Sequence, residues 1–148
     1  MSAATRRMAI ATLALVGFFI AVYLTLFKLG VIGAIACRVG SCDAVNLSAW
    51  GSFLGVPVAA WGMLFYAVLF ALAFAGVHER WADHRALPLA LLLWTGWGVL
   101  FSLWLTYLEL FVIHAICMWC VISATIVTIA FGVSLVDWRG VRQRQSLR

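Results

Sequence analysis

Four long runs of apolar residues divide the chain, and short polar segments separate them. The runs cover residues 8–29, 57–77, 87–113 and 117–136. Each is about 20 residues or longer, which is the length an α-helix needs to cross the hydrocarbon core of a bilayer. The pattern therefore predicts four transmembrane helices, with Pro57 at the start of the second, where its missing N–H costs nothing.

The first run has a second interpretation, as a secretory signal. Ala34-Ile35-Ala36, before Cys37, resembles a small-residue cleavage site. The apolar core of a signal is about 7–15 residues long, whereas this run is longer and carries Lys28 near its end. We therefore favour an uncleaved first transmembrane helix.

Residues 29–56 break the apolar pattern with five glycines and several polar side chains, yet they keep Trp50, a residue type suited to a membrane interface. This pattern predicts an outer loop or a short amphipathic helix that lies at the membrane surface and caps one end of the helices. The segment is long for a loop, which favours a functional role.

Composition supports a membrane protein. The 148 residues are 66% hydrophobic and 10% charged, whereas soluble domains are about 45–50% apolar and about 25% charged. We expect one all-α transmembrane domain over residues 1–148, built as a four-helix bundle. Nucleic acid is not an expected partner, because the arginines flank apolar runs and do not form one basic face.

The distribution of positive charge orients the predicted bundle. One side carries eight arginines, namely Arg6, Arg7, Arg80, Arg85, Arg139, Arg142, Arg144 and Arg148. The other side carries only Lys28 and Arg38. The positive-inside rule therefore predicts that both termini are cytoplasmic. Residues 29–56 and the turn before the fourth run then lie on the opposite side of the membrane.

All four cysteines fall on those two outer segments, at Cys37, Cys42, Cys117 and Cys120. The C-x-x-C motif Cys117-Met118-Trp119-Cys120 places two thiols on one helix face, one turn apart. That is close enough for a disulfide, whose Cα atoms are about 4.4–6.8 Å apart. The first thiol would lie at a helix N-terminus, where backbone N–H groups and the helix dipole stabilise a thiolate.

Three interpretations of the cysteines are open: two structural disulfides, a four-cysteine zinc site whose usual spacing both pairs satisfy, or a redox relay. A short bundle gains little from a disulfide within C-x-x-C, and an oxidising compartment disfavours thiolate ligands. We therefore favour a relay that works by thiol–disulfide exchange. Cys120 would lie about one turn into the bilayer, at a depth that a quinone acceptor reaches.

Other residues near the motif have two readings each. His114 either stabilises the thiolate or accepts a proton, or it is an interfacial histidine. Glu109 is an acid within an apolar run, which suggests quinone protonation unless the third helix projects and the carboxylate reaches the interface. Trp94, Trp97 and Trp104 recur at nearly helical spacing. They either form an aromatic wall for a quinone or serve helix packing and lipid contact.

The order of these motifs resembles the vitamin K epoxide reductase family, most closely its bacterial members, over nearly the whole chain. The residues that carry the resemblance are Cys37-Arg38-Val39-Gly40-Ser41-Cys42, Ser48, Gly55-Val56-Pro57-Val58-Ala59-Ala60-Trp61-Gly62 and Cys117-Met118-Trp119-Cys120. In the DsbB-like quinone-linked oxidases the C-x-x-C comes in the first outer loop, whereas here it comes last.

The resemblance implies a quinone-dependent thiol oxidoreductase of the bacterial inner membrane, with ubiquinone or menaquinone as the acceptor. Cys117 and Cys120 match the active-site pair, and Cys120 would attack or donate to the quinone. Cys37 and Cys42 match the loop pair, in which Cys42 would exchange with Cys117 and Cys37 would face the protein substrate. Ser48 matches a serine implicated in holding the quinone or the active-site geometry.

The expected quinone-binding residues are Ser48, Cys120, Glu109 and His114, and no metal site is expected. Many bacterial relatives carry a fused thioredoxin-like domain, whereas this sequence ends shortly after its fourth apolar run. The resemblance therefore implies a separate DsbA-like or thioredoxin-like partner in the periplasm. Animal enzymes space the loop cysteines more widely and carry a tyrosine where this chain has Ala124. A eukaryotic-type epoxide reductase is the second enzymatic interpretation, and a non-catalytic four-cysteine metal-binding membrane subunit is the interpretation from another class.

Overall fold

Four long helices dominate the computed structural model, which describes residues 1–82 and 84–147. They are α1 (Ala3–Lys28), α3 (Val58–Ala75), α5 (Ala86–Leu108) and α6 (Met118–Ser146), with a π-helical turn at Glu109–Ile113 extending α5. All four are long and apolar enough to cross a membrane. The prediction of an all-α protein with four transmembrane helices is confirmed. Arg148, one of the eight arginines used to orient the bundle, lies outside the described residues, as does Asp83.

The helix ends differ from the limits of the apolar runs. The first helix begins at Ala3 because the Ser2 side chain caps it, accepting the Thr5 N–H at 3.1 Å. The last helix continues to Ser146, well past the predicted end at residue 136. Its final residues are largely good helix formers, and Arg144 in the last turn complements the helix dipole.

Small residues let the helices approach one another closely. Helix α1 packs against α3 and α6, and α5 packs against α6 and α3. Gly17 of α1 lies against the ring of Tyr66, and Gly98 of α5 lies against Phe65 and Val127, so that an added Cβ atom at either glycine would overlap its neighbour. This is the packing expected of membrane helices, which associate through close contact.

Two arginines and one aspartate join the helices at what we call the arginine end of the bundle. Arg7, fully buried, donates through Nε to Oδ2 of Asp137 at 2.9 Å, and Arg6 donates to Oδ1 at 3.0 Å. Arg7 also donates to the Gly76 carbonyl at 2.7 Å. The cluster therefore links α1, α6 and the residue that caps α3, and it pairs the charges that burial would otherwise destabilise.

The opposite end, which we call the cysteine end, is capped by the segment between α1 and α3. Residues 29–41 are largely irregular and lead into α2 (Cys42–Leu47), a 3₁₀ turn (Ala49–Gly51) and the antiparallel strands β1 (Ser52–Phe53) and β2 (Val56–Pro57). Helix α2 buries Cys42 and Val45 and exposes most of its other residues. The predicted loop and short amphipathic helix are thus both present. Another short helix, α4 (Glu79–Ala82), lies between α3 and α5.

Candidate redox site

The four cysteines meet at the cysteine end in two different oxidation states. Cys37 and Cys42 form a disulfide, with their Cα atoms 6.0 Å apart. Cys117 and Cys120 are free thiols, with Cys117 at the N-cap of α6 and Cys120 in its first turn. Cys42 and Cys117 are both completely buried, in one small cluster with Val45. A disulfide and a dithiol, the two reactants of thiol–disulfide exchange, therefore lie side by side.

Backbone pairing holds the loop against the C-x-x-C motif. Gly40 forms an antiparallel bridge with Cys117, and the Ser41 N–H donates to the Ile116 carbonyl at 2.9 Å. Gly40 has a φ of 86°, and a side chain there would overlap the Ile116 carbonyl. This position therefore needs glycine, both for its left-handed backbone and for the close approach of the loop to the segment before Cys117.

A second attachment fixes the loop at Ala36. The indole Nε1 of Trp119, the residue before Cys120, donates to the Ala36 carbonyl at 2.8 Å. The Ala36 N–H donates to the Tyr23 hydroxyl at 2.9 Å, and the rings of Tyr23 and Trp119 meet edge to face at 5.5 Å. Helices α1 and α6 thus hold the loop just before Cys37.

Asn46 is a polar neighbour of Cys117 that was not expected at the redox site from the sequence pattern. Its Nδ2 donates to the Cys42 carbonyl at 2.7 Å and to the Cys117 sulfur at 3.7 Å. Lys28 in turn donates to the Asn46 carbonyl at 2.6 Å. The sequence feature that could have identified Asn46 is its spacing from Cys42. Residues four apart share a helix face, and Asn46 follows Cys42 by four positions.

Cys117 is poised as a nucleophile. Its pKa is lowered chiefly because the Cys120 thiol hydrogen-bonds to its sulfur, and the N–H groups of Cys120 and Trp119 add to the effect. Burial and the negative charge of Glu109 oppose this shift without reversing it. The sequence expectation of a stabilised thiolate at the helix N-terminus agrees with this direction.

An apolar cavity of about 400 Å³ opens beside Cys120. Helices α1, α3, α5 and α6 and the α2 region all contribute to its walls. Trp94 and Trp97 line it, as the aromatic-wall interpretation expected, and Trp94 stacks on Phe65 with ring centroids 5.6 Å apart. Trp104 is half exposed and is not part of the lining. Volumes of about 300–1,000 Å³ with mostly apolar walls are typical of small-molecule sites.

The remaining predicted site residues lie at different distances from this cavity. Glu109 is 6% exposed and lines it, and its Oε2 accepts the Cys117 N–H at 3.1 Å. His114 is exposed at the left-handed turn after the π-helix and lines a separate shallow cleft. Ser48 donates to the Val45 carbonyl at 2.7 Å and is not among the residues of the cavity wall. The structure thus brings Glu109 to both thiols, but not His114 or Ser48.

The geometry does not suggest a four-cysteine metal centre in this state. Across residues 1–82 and 84–147, no three His, Cys, Asp or Glu side chains converge as metal ligands. Cys37 and Cys42 are joined to each other, so neither sulfur is available as a thiolate ligand.

A known protein-family model matches most of the chain. The model described as the vitamin K epoxide reductase family matches residues 8–135. This range contains all four cysteines, Glu109 and every residue that lines the apolar cavity.

Proposed function

The chain belongs to the vitamin K epoxide reductase family, and from this we propose that it is a quinone-dependent thiol oxidoreductase that reoxidises a periplasmic thiol protein. The protein partner would be DsbA-like or thioredoxin-like, and the acceptor would be ubiquinone or menaquinone. The net result is disulfide bond formation in the partner's substrates.

The proposed electron route begins at the loop pair. The dithiol of the partner reduces the Cys37–Cys42 disulfide and leaves as a disulfide. The Cys42 thiolate then attacks Cys117 of an oxidised Cys117–Cys120 pair, and Cys37 closes the loop disulfide again, which leaves Cys117 and Cys120 as thiols. These two thiols pass two electrons and two protons to the quinone and become a disulfide.

One observation carries this proposal: a loop disulfide is docked on a reduced C-x-x-C. The Gly40–Cys117 bridge and the complete burial of Cys42 and Cys117 hold the exchanging residues together. The combination of oxidation states corresponds to the step after electrons have reached Cys117 and Cys120 and before they leave.

The cavity beside Cys120 fits a quinone ring by size and chemistry. Its walls are mainly aliphatic and aromatic, and Cys120 and Glu109 contribute polar groups at the cysteine end. Aromatic side chains such as Trp94 and Trp97 are suited to stacking on a planar ring. In this proposal Cys120 is the electron donor, Glu109 contacts the acceptor, and Ser48 and His114 support the surrounding geometry from outside the wall.

The membrane orientation is also part of the proposal. Eight arginines at the chain ends and in the α3–α5 connection favour a cytoplasmic arginine end in a bacterial inner membrane. The cysteine end would then face the periplasm, a compartment kept oxidising by quinone-linked chemistry. Cys37 is less buried than Cys42 and is the sulfur that a protein partner would reach first.

Epoxide reduction is the second candidate. Ala124 lines the cavity with a methyl group at the position where the animal enzymes of the family carry a tyrosine. The missing hydroxyl removes a proton donor from the wall, which favours quinone over epoxide as the acceptor.

A reconstituted assay tests the proposal. The purified protein is supplied with a short-chain ubiquinone, or with vitamin K epoxide in parallel, and with either dithiothreitol or a reduced DsbA-like protein. We expect quinone-dependent thiol oxidation that Cys117→Ala or Cys120→Ala abolishes. Cys37→Ala should block the protein donor and leave oxidation of dithiothreitol partly intact. Oxidation of the protein donor at full rate by Cys37→Ala/Cys42→Ala would contradict the relay, and faster consumption of epoxide than of quinone would favour the second candidate.

A further inference from the structure

Two cavities approach each other at Glu109. The apolar cavity lies on one side, and a shallow cleft of about 440 Å³ lies on the other, lined by Gly40, Ser41, Leu110, His114, Ala115 and Ile116 in addition to Glu109. Among the residues that the structure describes in these two linings, Glu109 is the one they share. Its carboxyl group therefore stands between a water-accessible cleft at the cysteine end and an apolar chamber.

The same carboxyl group contacts both ends of the C-x-x-C motif. Its Oε2 accepts the Cys117 N–H at 3.1 Å, and the side chain is also close enough to the Cys120 thiol to interact with it. The π-helical turn that begins at Glu109 and ends before the left-handed His114 brings the acid and the motif together. Turns of this kind occur often at functional sites.

The chemistry at Cys120 requires a proton acceptor. When Cys117 and Cys120 become a disulfide, two S–H bonds are lost, one S–S bond forms, and two electrons leave. The acceptor gains those two electrons and two protons. Cys120 faces a chamber with mainly apolar walls, so its proton needs a polar group within reach, and Glu109 is that group.

We propose that Glu109 is the proton-transfer residue between the Cys120 thiol, the acceptor and the cleft. Its carboxylate takes the proton of Cys120 as that sulfur gives up its electrons, and the carboxylic acid then donates this proton to an acceptor oxygen. The proton of Cys117 is released to the aqueous phase, and an equivalent proton enters through the cleft to Glu109 and on to the second acceptor oxygen. The proposal rests on quinone being the acceptor.

A purely structural role predicts different behaviour. If Glu109 only holds the Cys117 N–H, Glu109→Gln is harmless, because the amide oxygen accepts the same hydrogen bond in the same shape. If Glu109 carries a proton, the same substitution removes that capacity. Glu109→Asp keeps a carboxyl group with a shorter reach and serves as the partial rescue. Asp43→Asn is the matched control, because Asp43 is an exposed carboxylate beside Cys42.

The experiment uses full-length protein in lipid nanodiscs, reduced at Cys117 and Cys120 and mixed rapidly with a short-chain ubiquinone. We expect Glu109→Gln to slow the single turnover by about 100-fold, the low end of a general acid–base contribution, with Glu109→Asp in between and Asp43→Asn at the wild-type rate. Quinone binding, read by quenching of tryptophan fluorescence, should weaken far less in Glu109→Gln than the turnover rate falls, because the amide keeps the shape of the side chain and an oxygen acceptor. Binding should be unchanged in Asp43→Asn.

A second measurement follows the proton itself. Because Glu109 is protonated only between the transfers, the time-resolved infrared difference spectrum of the single turnover should contain a transient carboxylic-acid C=O band that is absent in Glu109→Gln and persists in Asp43→Asn. A wild-type rate in Glu109→Gln, or a loss of quinone binding as large as the loss of rate, overturns the proton-transfer role. Failure of the wild-type protein to reduce quinone would instead overturn the proposed function, so the two failures are distinguishable.

Discussion

The side-chain amide of Asn46 lies 3.7 Å from the sulfur of Cys117 and donates toward it, while the same nitrogen donates to the Cys42 carbonyl at 2.7 Å. One amide thus bridges the two cysteines that exchange in the proposed relay. A donor that points at a sulfur stabilises its thiolate form.

Replacement of Asn46 by leucine should therefore make Cys117 harder to ionise. We expect the pH at which Cys117 is half ionised to rise, because the thiolate loses a hydrogen-bond donor. The measurement is the pH titration of the thiolate ultraviolet absorbance of the reduced protein with Cys117→Ala as the blank, a readout that needs no access of a reagent to the buried sulfur. Asp43→Asn changes an exposed polar residue on the same short helix and should leave the profile unmoved. An unshifted profile in Asn46→Leu would show that the amide is only structural.

Removal of the Cys120 sulfur should have a related effect and also trap the exchange. The pKa of Cys117 is lowered chiefly by its hydrogen bond with Cys120, so Cys120→Ala raises this pKa, reduces the thiolate fraction at neutral pH and shifts the titration of Cys117 to higher pH. The variant also lacks one of the two thiols that resolve a Cys42–Cys117 linkage, while Cys37 can still attack it at Cys42. We expect part of the protein to hold that linkage in equilibrium with the loop disulfide, and acid quenching with thiol trapping and peptide mapping detects it. Cys117→Ala is the control that cannot form it, and its absence from Cys120→Ala would contradict the pairing of Cys42 with Cys117.

The attachment at Ala36 predicts how firmly the loop is held. Trp119→Phe keeps the ring contact with Tyr23 but removes the N–H that donates to Ala36, and Tyr23→Phe removes the hydroxyl that accepts from it. Each change should cost about 0.5–1.5 kcal/mol of loop docking. Faster hydrogen exchange of the backbone amides in residues 36–42 measures this effect. Trp104→Phe, on the exposed side of α5, should leave the exchange rates unchanged, and equal rates in all three variants would refute the attachment.

The arginine end predicts an unequal pair of stability effects. Asp137→Asn removes the negative charge of Asp137 from the buried guanidinium of Arg7, and breaking such a buried pair costs about 3–5 kcal/mol. Arg6→Gln should cost less, because the Arg6 side chain is 12% exposed and water replaces part of its interaction, whereas Arg7 and Asp137 are fully buried. Unfolding by dodecyl sulfate in mixed micelles, followed by tryptophan fluorescence, compares them. Equal midpoints for the two variants would be inconsistent with the cluster as described.

The helices and the placement of all four cysteines at one end of the bundle were predictable because both depend on local pattern. Apolar runs locate membrane helices whatever their partners. Two cysteines lie in the segment between the first two runs, and two lie in the first turn of the fourth run. The helix ends were less predictable, since the Ser2 cap and the polar extension of α6 add helical residues beyond the apolar pattern.

Contacts within the site were harder to predict because they depend on how distant segments dock. Asn46 is 71 positions from Cys117, and its role follows only from the packing of α2 on the C-x-x-C motif. His114 is three positions from Cys117, yet its left-handed backbone turns it toward the cleft. Glu109 precedes a π-helical turn, where a regular helical projection no longer gives the direction of the residues that follow.

The docking of residues 36–42 also protects the proposed electron path from side reactions with small thiols in solution. Well-oriented groups in one molecule react as though present at about 10⁵–10⁸ M, which no dissolved thiol approaches. The Cys117 sulfur has no exposed surface beneath the loop, so a soluble thiol reaches it only after the loop lifts. Electrons therefore enter the protein through Cys37. Direct exchange between Cys117 and small thiols requires the loop to open first.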